Sequence, residues 1–246
     1  MFLLKLIFYY FISLFLSSFI HETGHILTAI LHGWSFRFIV IGPLRISMSK
    51  NKNLMLSFEK DIMLWGGLSS TLPSRDTETT FREYSIILLG GPIFSLLVGA
   101  SLLPLFFKNS FLFPLILSII SMGMGLATIL PIPIRSGLHY NDGYRFFRIV
   151  NSRHSGYHDE YALFKLSLYN QLHDVPSYDE LKNSLSQIAV SDDPLLQFLI
   201  HYALLEIADT SSNPNSANIE IQIIDSISPR VSPYILKKFP YKKSAN

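Results

Sequence analysis

Three long stretches of the chain are almost entirely apolar. They cover about residues 2–31, 84–107 and 111–134, and the last two contain no charged side chain. A helix needs about 20 apolar residues to cross the hydrocarbon core of a bilayer, so each stretch is long enough. Only residues 108–110 separate the last two, and a connection that short makes them antiparallel neighbours. The pattern predicts three transmembrane helices.

A different pattern occupies residues 36–58, between the first two apolar stretches. Apolar and polar residues alternate there through Ile46 and Met48, and a second apolar run starts at Leu54 after the polar residues 50–53. Two such runs around a polar turn are typical of a β-hairpin. The exposed edge of the hairpin could hold an extended peptide by strand addition. A hairpin that only covers its neighbours would produce the same pattern.

The C-terminal part is less apolar and carries the signals of short amphipathic helices. Ser177 and Glu180 form a capping-box pattern, and Asp193 precedes a proline, as is common at helix N-termini. The fold class predicted for the whole chain is a mostly α-helical, polytopic membrane protein with a small β-hairpin insertion. We expect a membrane-embedded core over residues 1–150 and a soluble helical domain over residues 151–246.

Composition agrees with a membrane protein and narrows the chemistry. The chain is 49% hydrophobic and 15% charged, whereas soluble domains carry about a quarter charged residues. The net charge is +2 and the basic residues are scattered, which argues against a nucleic-acid partner. Cysteine is absent, which excludes disulfides, thiolate metal sites and cysteine catalysis. Any metal site must therefore use His, Asp or Glu.

Basic residues also indicate the orientation in the membrane. Residues 32–83 contain seven Lys and Arg, whereas Lys108 is the only one in the turn between the second and third spans. Cytoplasmic loops carry this excess, so the long loop and the C-terminal domain are expected in the cytoplasm. Lys5 argues against an external N-terminus and would fit a signal peptide. However, the apolar run continues to Leu31 without a small-x-small cleavage site, so we expect the first span to be retained.

The first span contains the run His21-Glu22-Thr23-Gly24-His25, which matches H-E-x-x-H. Residues four apart share a helix face, so His21 and His25 can bind one metal ion. Glu22 would lie beside the ion and could take a proton from a water molecule. Ionisable residues at membrane depth are costly and normally functional. The run is therefore interpreted as a metal site rather than a chance match.

A catalytic zinc ion needs a third protein ligand and one open position. Asp142 is the best candidate, because it follows the third span and the topology brings it to the membrane face of His25. Gly143 would allow a tight turn at this point. Asp142 would fit equally well in an Asx turn or at a helix N-cap. The rival ligands, for which a solvated position is the simpler interpretation, are His139, Glu59, Asp61 and His32.

Together, these motifs resemble the site-2 protease family of intramembrane zinc metalloproteases, peptidase family M50. The resemblance covers about residues 10–150 and implies Zn²⁺ bound by His21, His25 and Asp142. It also implies that Glu22 is the general base of catalysis.

Two further segments resemble family motifs less closely. The run that contains Gly91, Pro92 and Ser95 is similar to the G-P-x-x-N motif, and the run from Thr128 to Pro131 is similar to N-x-x-P. The resemblance implies a substrate-positioning role for Gly91, Pro92, Ser95 and Thr128. Ser95 and Thr128 stand where the family has asparagine, which suggests a divergent bacterial member.

The leading functional hypothesis is an intramembrane zinc endopeptidase. Its substrate would be a membrane-bound protein or peptide precursor, and its active site would face the cytoplasmic side of a bacterial cell membrane. One alternative is a catalytically silent membrane protein that binds metal or peptide, or a transport accessory. Another is a membrane scaffold in which the HETGH run arose by chance.

Overall fold

The computed structural model describes residues 2–49, 53–74, 78–109, 111–136, 139–169, 177–186, 192–211 and 213–241. The chain forms two compact units, residues 1–150 and residues 151–246, which are described separately. The first unit contains long helices and a small antiparallel sheet, and the second is helical. The predicted fold class is therefore confirmed.

Three helices of the first unit are long and apolar enough to cross a membrane. They are α1 (Phe2–Leu31), α2 (Glu78–Asn109) and α3 (Leu112–Ile129). The number of spans agrees with the prediction, but two ends differ. Helix α2 starts earlier than expected, and α3 ends at Ile129, because Pro131 and Pro133 follow and a proline cannot donate to the helix ladder.

The loop between α1 and α2 folds into a four-stranded antiparallel sheet. Its strands are β1 (Ser35–Ile41), β2 (Leu44–Met48), β3 (Leu54–Phe58) and β4 (Leu68–Leu72), in the order β3-β2-β1-β4. The predicted hairpin is therefore the β1–β3 part of a larger sheet. The polar turn predicted at residues 50–53 lies mostly outside the described residues. A short 3₁₀ helix, Ile62–Leu64, precedes β4.

The sheet runs back along α1 towards the middle of that helix. At the C-terminal end of α1, the Trp34 amide donates to the Ala29 carbonyl over 2.9 Å. At the turn between β1 and β2, a Cβ added to Gly42 would touch the ring of Phe15. At the start of β4, Gly67 lies against Ser18 and Glu22. The sheet therefore lies beside the part of α1 that carries the HETGH run.

Small residues let the three long helices pack closely. A Cβ added to Gly24 of α1 would meet the Gly90 carbonyl oxygen of α2. The hydroxyl groups of Ser17 and Ser121 join α1 to α3 over 2.9 Å, and both are buried. Small residues and hydroxyl contacts are typical of helix interfaces in membranes. This packing turns the face of α1 that carries His21 towards α2.

The chain returns to the helix bundle directly after α3. Strands β5 (Arg135–Ser136) and β6 (His139–Tyr140) pair, and α4 (Asp142–Val150) follows. The Asn141 side chain, just before α4, donates to the carbonyl of Leu130, just after α3, over 2.7 Å and so joins the start of α4 to the end of α3. The Arg145 guanidinium donates to the Tyr84 hydroxyl on α2 over 2.6 Å. These contacts hold the first turn of α4 against the ends of α2 and α3.

The second unit consists of helices α5 (Tyr157–Tyr169), α6 (Tyr178–Ser186), α7 (Pro194–Thr210), α8 (Pro214–Ile227) and α9 (Pro233–Lys238), with a 3₁₀ turn at Ser228–Arg230. Two predicted helix starts are confirmed. The Ser177 and Glu180 side chains each accept from the other's backbone amide, and Asp193 caps α7 by accepting from the Leu195 amide. Apolar side chains such as Phe198 form the core of this unit.

Candidate metal centre

The two histidines of the HETGH run lie one helical turn apart on α1. Their Nε2 atoms are 3.2 Å from each other, and the rings meet edge to face. His21 is buried and His25 is partly buried. Leu31 ends α1 less than two turns after His25, so the pair lies closer to the C-terminal end of the helix than to its start.

Asp142 completes a cluster of three possible ligands. Its Oδ2 atom is 3.1 Å from His21 Nε2 and 3.6 Å from His25 Nε2. Asp142 is the first residue of α4, but its carboxylate is directed at the two imidazoles. A Cβ added to the next residue, Gly143, would collide with the backbone carbonyl of Ile129. This glycine therefore permits a close approach of α4 to α3 rather than the tight turn that the sequence suggested.

The electrostatics of the cluster favour a charged carboxylate. Burial disfavours the charged form of Asp142, but the hydrogen bonds of the two imidazoles, and their charge when they are protonated and hold no metal ion, outweigh that effect. They hold the pKa of the Asp142 carboxyl well below its ordinary value. Asp142 is therefore an anion, the form in which a carboxylate binds a metal ion.

The donor set and its spacing fit zinc. All three donor atoms lie within 4.8 Å of one another, and they comprise two imidazole nitrogens and one carboxylate oxygen. A tetrahedral zinc ion with bonds of about 2.0–2.1 Å would hold its ligand atoms roughly 3.3 Å apart. The distances of 3.1, 3.2 and 3.6 Å between the donors surround that value. Three protein ligands would leave one coordination position open, as catalytic sites require.

The remaining ring nitrogens are held by neighbouring groups on α2. His25 Nδ1 is 2.8 Å from the Ile87 carbonyl and 3.3 Å from the Gly91 amide. The shorter contact requires Nδ1 to carry the proton, which leaves the Nε2 lone pair free for a metal ion. His21 Nδ1 is 3.2 Å from the Ser95 hydroxyl, which can accept from it. Outer hydrogen bonds of this kind fix the tautomer and orientation of metal-binding histidines.

The Glu22 side chain contacts the sheet. Its Oε2 atom accepts a hydrogen bond from the Ser69 hydroxyl on β4 over 2.6 Å. The sequence analysis did not identify Ser69, because nothing in the short run Leu68–Leu72 indicates which helix the strand contacts. The Gly66-Gly67 pair before it was the available signal, since glycine often marks a close backbone approach.

The four residues with an implied substrate-positioning role lie in different surroundings. A Cβ added to Gly91 would touch the His25 ring, and Ser95 is fully buried against His21. The carbonyl of Pro92 lies against Gly125 of α3, and the Thr128 hydroxyl donates within its own helix to the Met124 carbonyl over 2.9 Å. Gly91 and Ser95 therefore contact the candidate ligands themselves. A role of any of the four towards substrate remains a prediction.

The rival ligands have other partners. Glu59 pairs with Arg45 over 3.0 Å, and hydrogen bonds from the Asp61 amide and from Arg45 lower the pKa of its carboxyl. Asp61 lies in the same loop as Glu59, and its backbone amide donates this hydrogen bond to the Glu59 carboxylate. His32 is exposed and contacts the Thr28 carbonyl. The side chain of His139 lies outside the described part of the chain.

Comparison with known proteins assigns the family. The sequence profile of peptidase family M50 matches residues 9–227. No curated protein and no solved structure matches the chain. The profile match covers most of the 246 residues and extends beyond the motifs into the second unit. The chain therefore belongs to peptidase family M50, the site-2 protease family of membrane metalloproteases.

Proposed function

We propose that this protein is an intramembrane zinc endopeptidase whose metal ion is held by His21, His25 and Asp142. The observation that carries the proposal is the convergence of three donor atoms from α1 and α4 within 4.8 Å. If the HETGH run had arisen by chance in a scaffold, nothing would favour the contact of its His21 with Asp142, 121 positions away in sequence. Burying ionisable groups together at membrane depth is costly unless they perform a function.

Each residue then has a distinct role in peptide hydrolysis. A zinc ion bound to the three ligands would polarise the scissile carbonyl and make a water molecule more acidic. Glu22 accepts the proton that this water loses as it attacks the carbonyl carbon. The same carboxyl then gives the proton to the departing amine nitrogen as the C–N bond breaks, so the protein ends the cycle with its original charge.

The proposed substrate is a membrane-bound protein or peptide precursor. Support comes from the site's place on a candidate transmembrane helix, beside the sheet that runs along α1. Among the described strands, β4 lies at the edge of the sheet and contacts Glu22 through Ser69. An extended segment that adds to this edge would place its backbone next to Glu22. The strand-addition role first considered for the predicted hairpin is therefore proposed for β4.

We also propose that the active site faces the cytoplasm of a bacterial cell. The support is the excess of Lys and Arg in residues 32–83, which directly follow the end of α1 nearest to His25. Water would reach the metal centre from that side. Single cysteines introduced into this loop, labelled with a thiol reagent that cannot cross the membrane, would test the orientation in intact cells and in inverted vesicles. Labelling in intact cells alone would contradict it.

The substitution Glu22→Gln tests the function. It keeps the size of the side chain and the three ligands, but it removes the proton acceptor. The purified variant should retain zinc at the wild-type stoichiometry and lose cleavage of a reconstituted membrane peptide. If the protein is a catalytically silent binder, the wild type itself should hold zinc but cleave nothing. If it is a scaffold, the wild type should hold no zinc. Cleavage by Glu22→Gln at the wild-type rate would contradict the mechanism.

A further inference from the structure

The sheet contacts the proposed general base at one defined point. Within the described residues, the hydrogen bond of the Glu22 carboxylate comes from the Ser69 hydroxyl, over 2.6 Å. The two residues are 47 positions apart and lie on different elements, α1 and β4. We infer that Ser69 is a positioning residue for Glu22. This inference rests on the proposed function, because it assigns Ser69 a role in the same reaction.

Two further contacts fix β4 against α1 beside this hydrogen bond. The Ser18 hydroxyl, one helical turn before Glu22, donates to the Gly66 carbonyl over 3.0 Å. Gly67 has φ +112°, which other residues rarely adopt, and a Cβ there would touch the Ser18 hydroxyl. That Cβ would also lie 3.0 Å from Glu22 Oε1 and 3.4 Å from its Cγ. The chain before Ser69 therefore has little freedom to move relative to Glu22.

The geometry explains what the hydroxyl does for catalysis. A glutamate side chain rotates about three bonds, and a general base must be held within hydrogen-bond reach of the proton it takes. Ser69 donates to one oxygen of Glu22 and leaves the other oxygen able to accept a proton. Because the bond is made to a charged group, its loss should lower kcat by about 10- to 100-fold. Zinc binding should not change, since the Ser69 hydroxyl donates to Glu22 and, among the described residues, not to any of the three candidate ligands.

The first test compares three variants of the full-length protein in detergent or lipid. Ser69→Ala removes the hydroxyl, Ser69→Thr keeps it, and Ser70→Ala makes the same truncation one residue along the strand. Successive side chains of a strand point to opposite faces, and both serines are partly buried. We expect Ser69→Ala to lower kcat with KM and zinc content unchanged, Ser69→Thr to restore most of kcat, and Ser70→Ala to behave as the wild type. Equal kcat for the two alanine variants would overturn the inference.

The second test needs neither zinc nor activity. The chain has no cysteine, so Glu22→Cys can be combined with Ser69→Cys or with Ser70→Cys in an otherwise thiol-free protein. Because cysteine is shorter than glutamate, a short bifunctional methanethiosulfonate would bridge the pair, rather than a direct disulfide. We expect cross-linking with Ser69→Cys and much less with Ser70→Cys. Equal yields would overturn the inference, whether or not the chain proves to be a peptidase.

The two tests distinguish the failures. If the wild type binds zinc and cleaves but Ser69→Ala retains full kcat, the positioning role is wrong and the proposed function stands. If the wild type holds no zinc and cleaves nothing, the proposed function is wrong, and the positioning role fails with it. Selective cross-linking would in that case still establish the contact between β4 and α1 as a structural one.

Discussion

The substitution Gly143→Ala should weaken the metal centre without touching a ligand. Gly143 follows Asp142 in the first turn of α4, and a Cβ built on it collides with the Ile129 carbonyl and lies 3.0 Å from the Leu130 carbonyl carbon. Both groups belong to the backbone at the end of α3, so no side chain can rotate away. The start of α4 must instead move away from α3, and Asp142 must move with it.

The size of the effect follows from the distances in the cluster. Relief of the overlap needs a shift of about 1.6 Å, because non-bonded carbon and oxygen atoms are normally separated by about 3.5 Å and the added Cβ would lie far inside that separation. The Asp142 carboxylate now lies 3.1 and 3.6 Å from the two imidazole nitrogens. Metal–ligand bonds tolerate only about 0.2 Å, so such a shift strains or breaks the third bond. We expect zinc affinity to fall by about 10- to 100-fold.

Competition with a fluorescent chelator would measure that affinity on purified protein. Gly123→Ala is a matched control, because Gly123 lies on α3 and an added Cβ there meets nothing within 4 Å. Neither glycine has a positive φ, so the two substitutions differ in steric overlap and not in backbone strain. Gly143→Ala should bind zinc more weakly and Gly123→Ala should match the wild type. Wild-type affinity in Gly143→Ala would refute the reasoning.

Two further predictions concern packing and pH. Gly24→Ala would overlap the Gly90 carbonyl of α2, so it should separate the helices and destabilise the protein by about 1–3 kcal/mol; an unchanged thermal midpoint in detergent would count against this packing. In the second unit, burial and the hydrogen bond to Glu220 raise the pKa of Tyr178 to about 12, from about 10 when unfolded. The neutral hydroxyl therefore stabilises the fold below pH about 10, and this contribution disappears as the pH rises through about 12. Tyr178→Phe should destabilise the unit at neutral pH by about 1–3 kcal/mol and should unfold with a weaker alkaline pH dependence; the same alkaline dependence as the wild type would contradict the assignment.

The two candidate ligands on α1 were predictable because local geometry brings them together. The spacing of His21 and His25 places both on one helix face wherever the helix packs. Local geometry does not place Asp142, because it is far from the histidines in sequence. The number of predicted spans is what brings it to the membrane face where His21 and His25 lie. The structure places its carboxylate at both imidazoles, although the sequence left an N-cap role open. Asn141 instead precedes α4, where its carbonyl accepts from the Arg145 amide.

The sheet was only partly predictable, because its fourth strand is formed by long-range pairing. Strand β4 has the sequence Leu68–Leu72, in which three consecutive polar residues give no alternating pattern. It becomes a strand because β1 offers it an edge, with Ile39 opposite Ser69. Strand propensity depends strongly on such neighbours. The Gly66-Gly67 pair indicated a close backbone approach, but the sequence did not indicate that Ser69 contacts Glu22.

The role of Ser95 shows a related limit. Its similarity to the asparagine of a family motif implied contact with substrate, but a motif on α2 does not indicate which neighbouring helix it meets. Ser95 lies fully buried against the Nδ1 atom of His21. This position suits Ser95 to orient the His21 ring, which the spacing within α2 alone did not show.

The central claim is a zinc ion held by two imidazoles from α1 and one carboxylate from α4, and zinc K-edge X-ray absorption tests it directly. The purified wild type should contain one zinc per chain, with two nitrogen ligands from imidazole and one carboxylate oxygen at about 2.0–2.1 Å. Asp142→Ala should lose the carboxylate oxygen from the spectrum and bind zinc more weakly. A protein without stoichiometric zinc, or an Asp142→Ala spectrum identical to that of the wild type, would contradict the account.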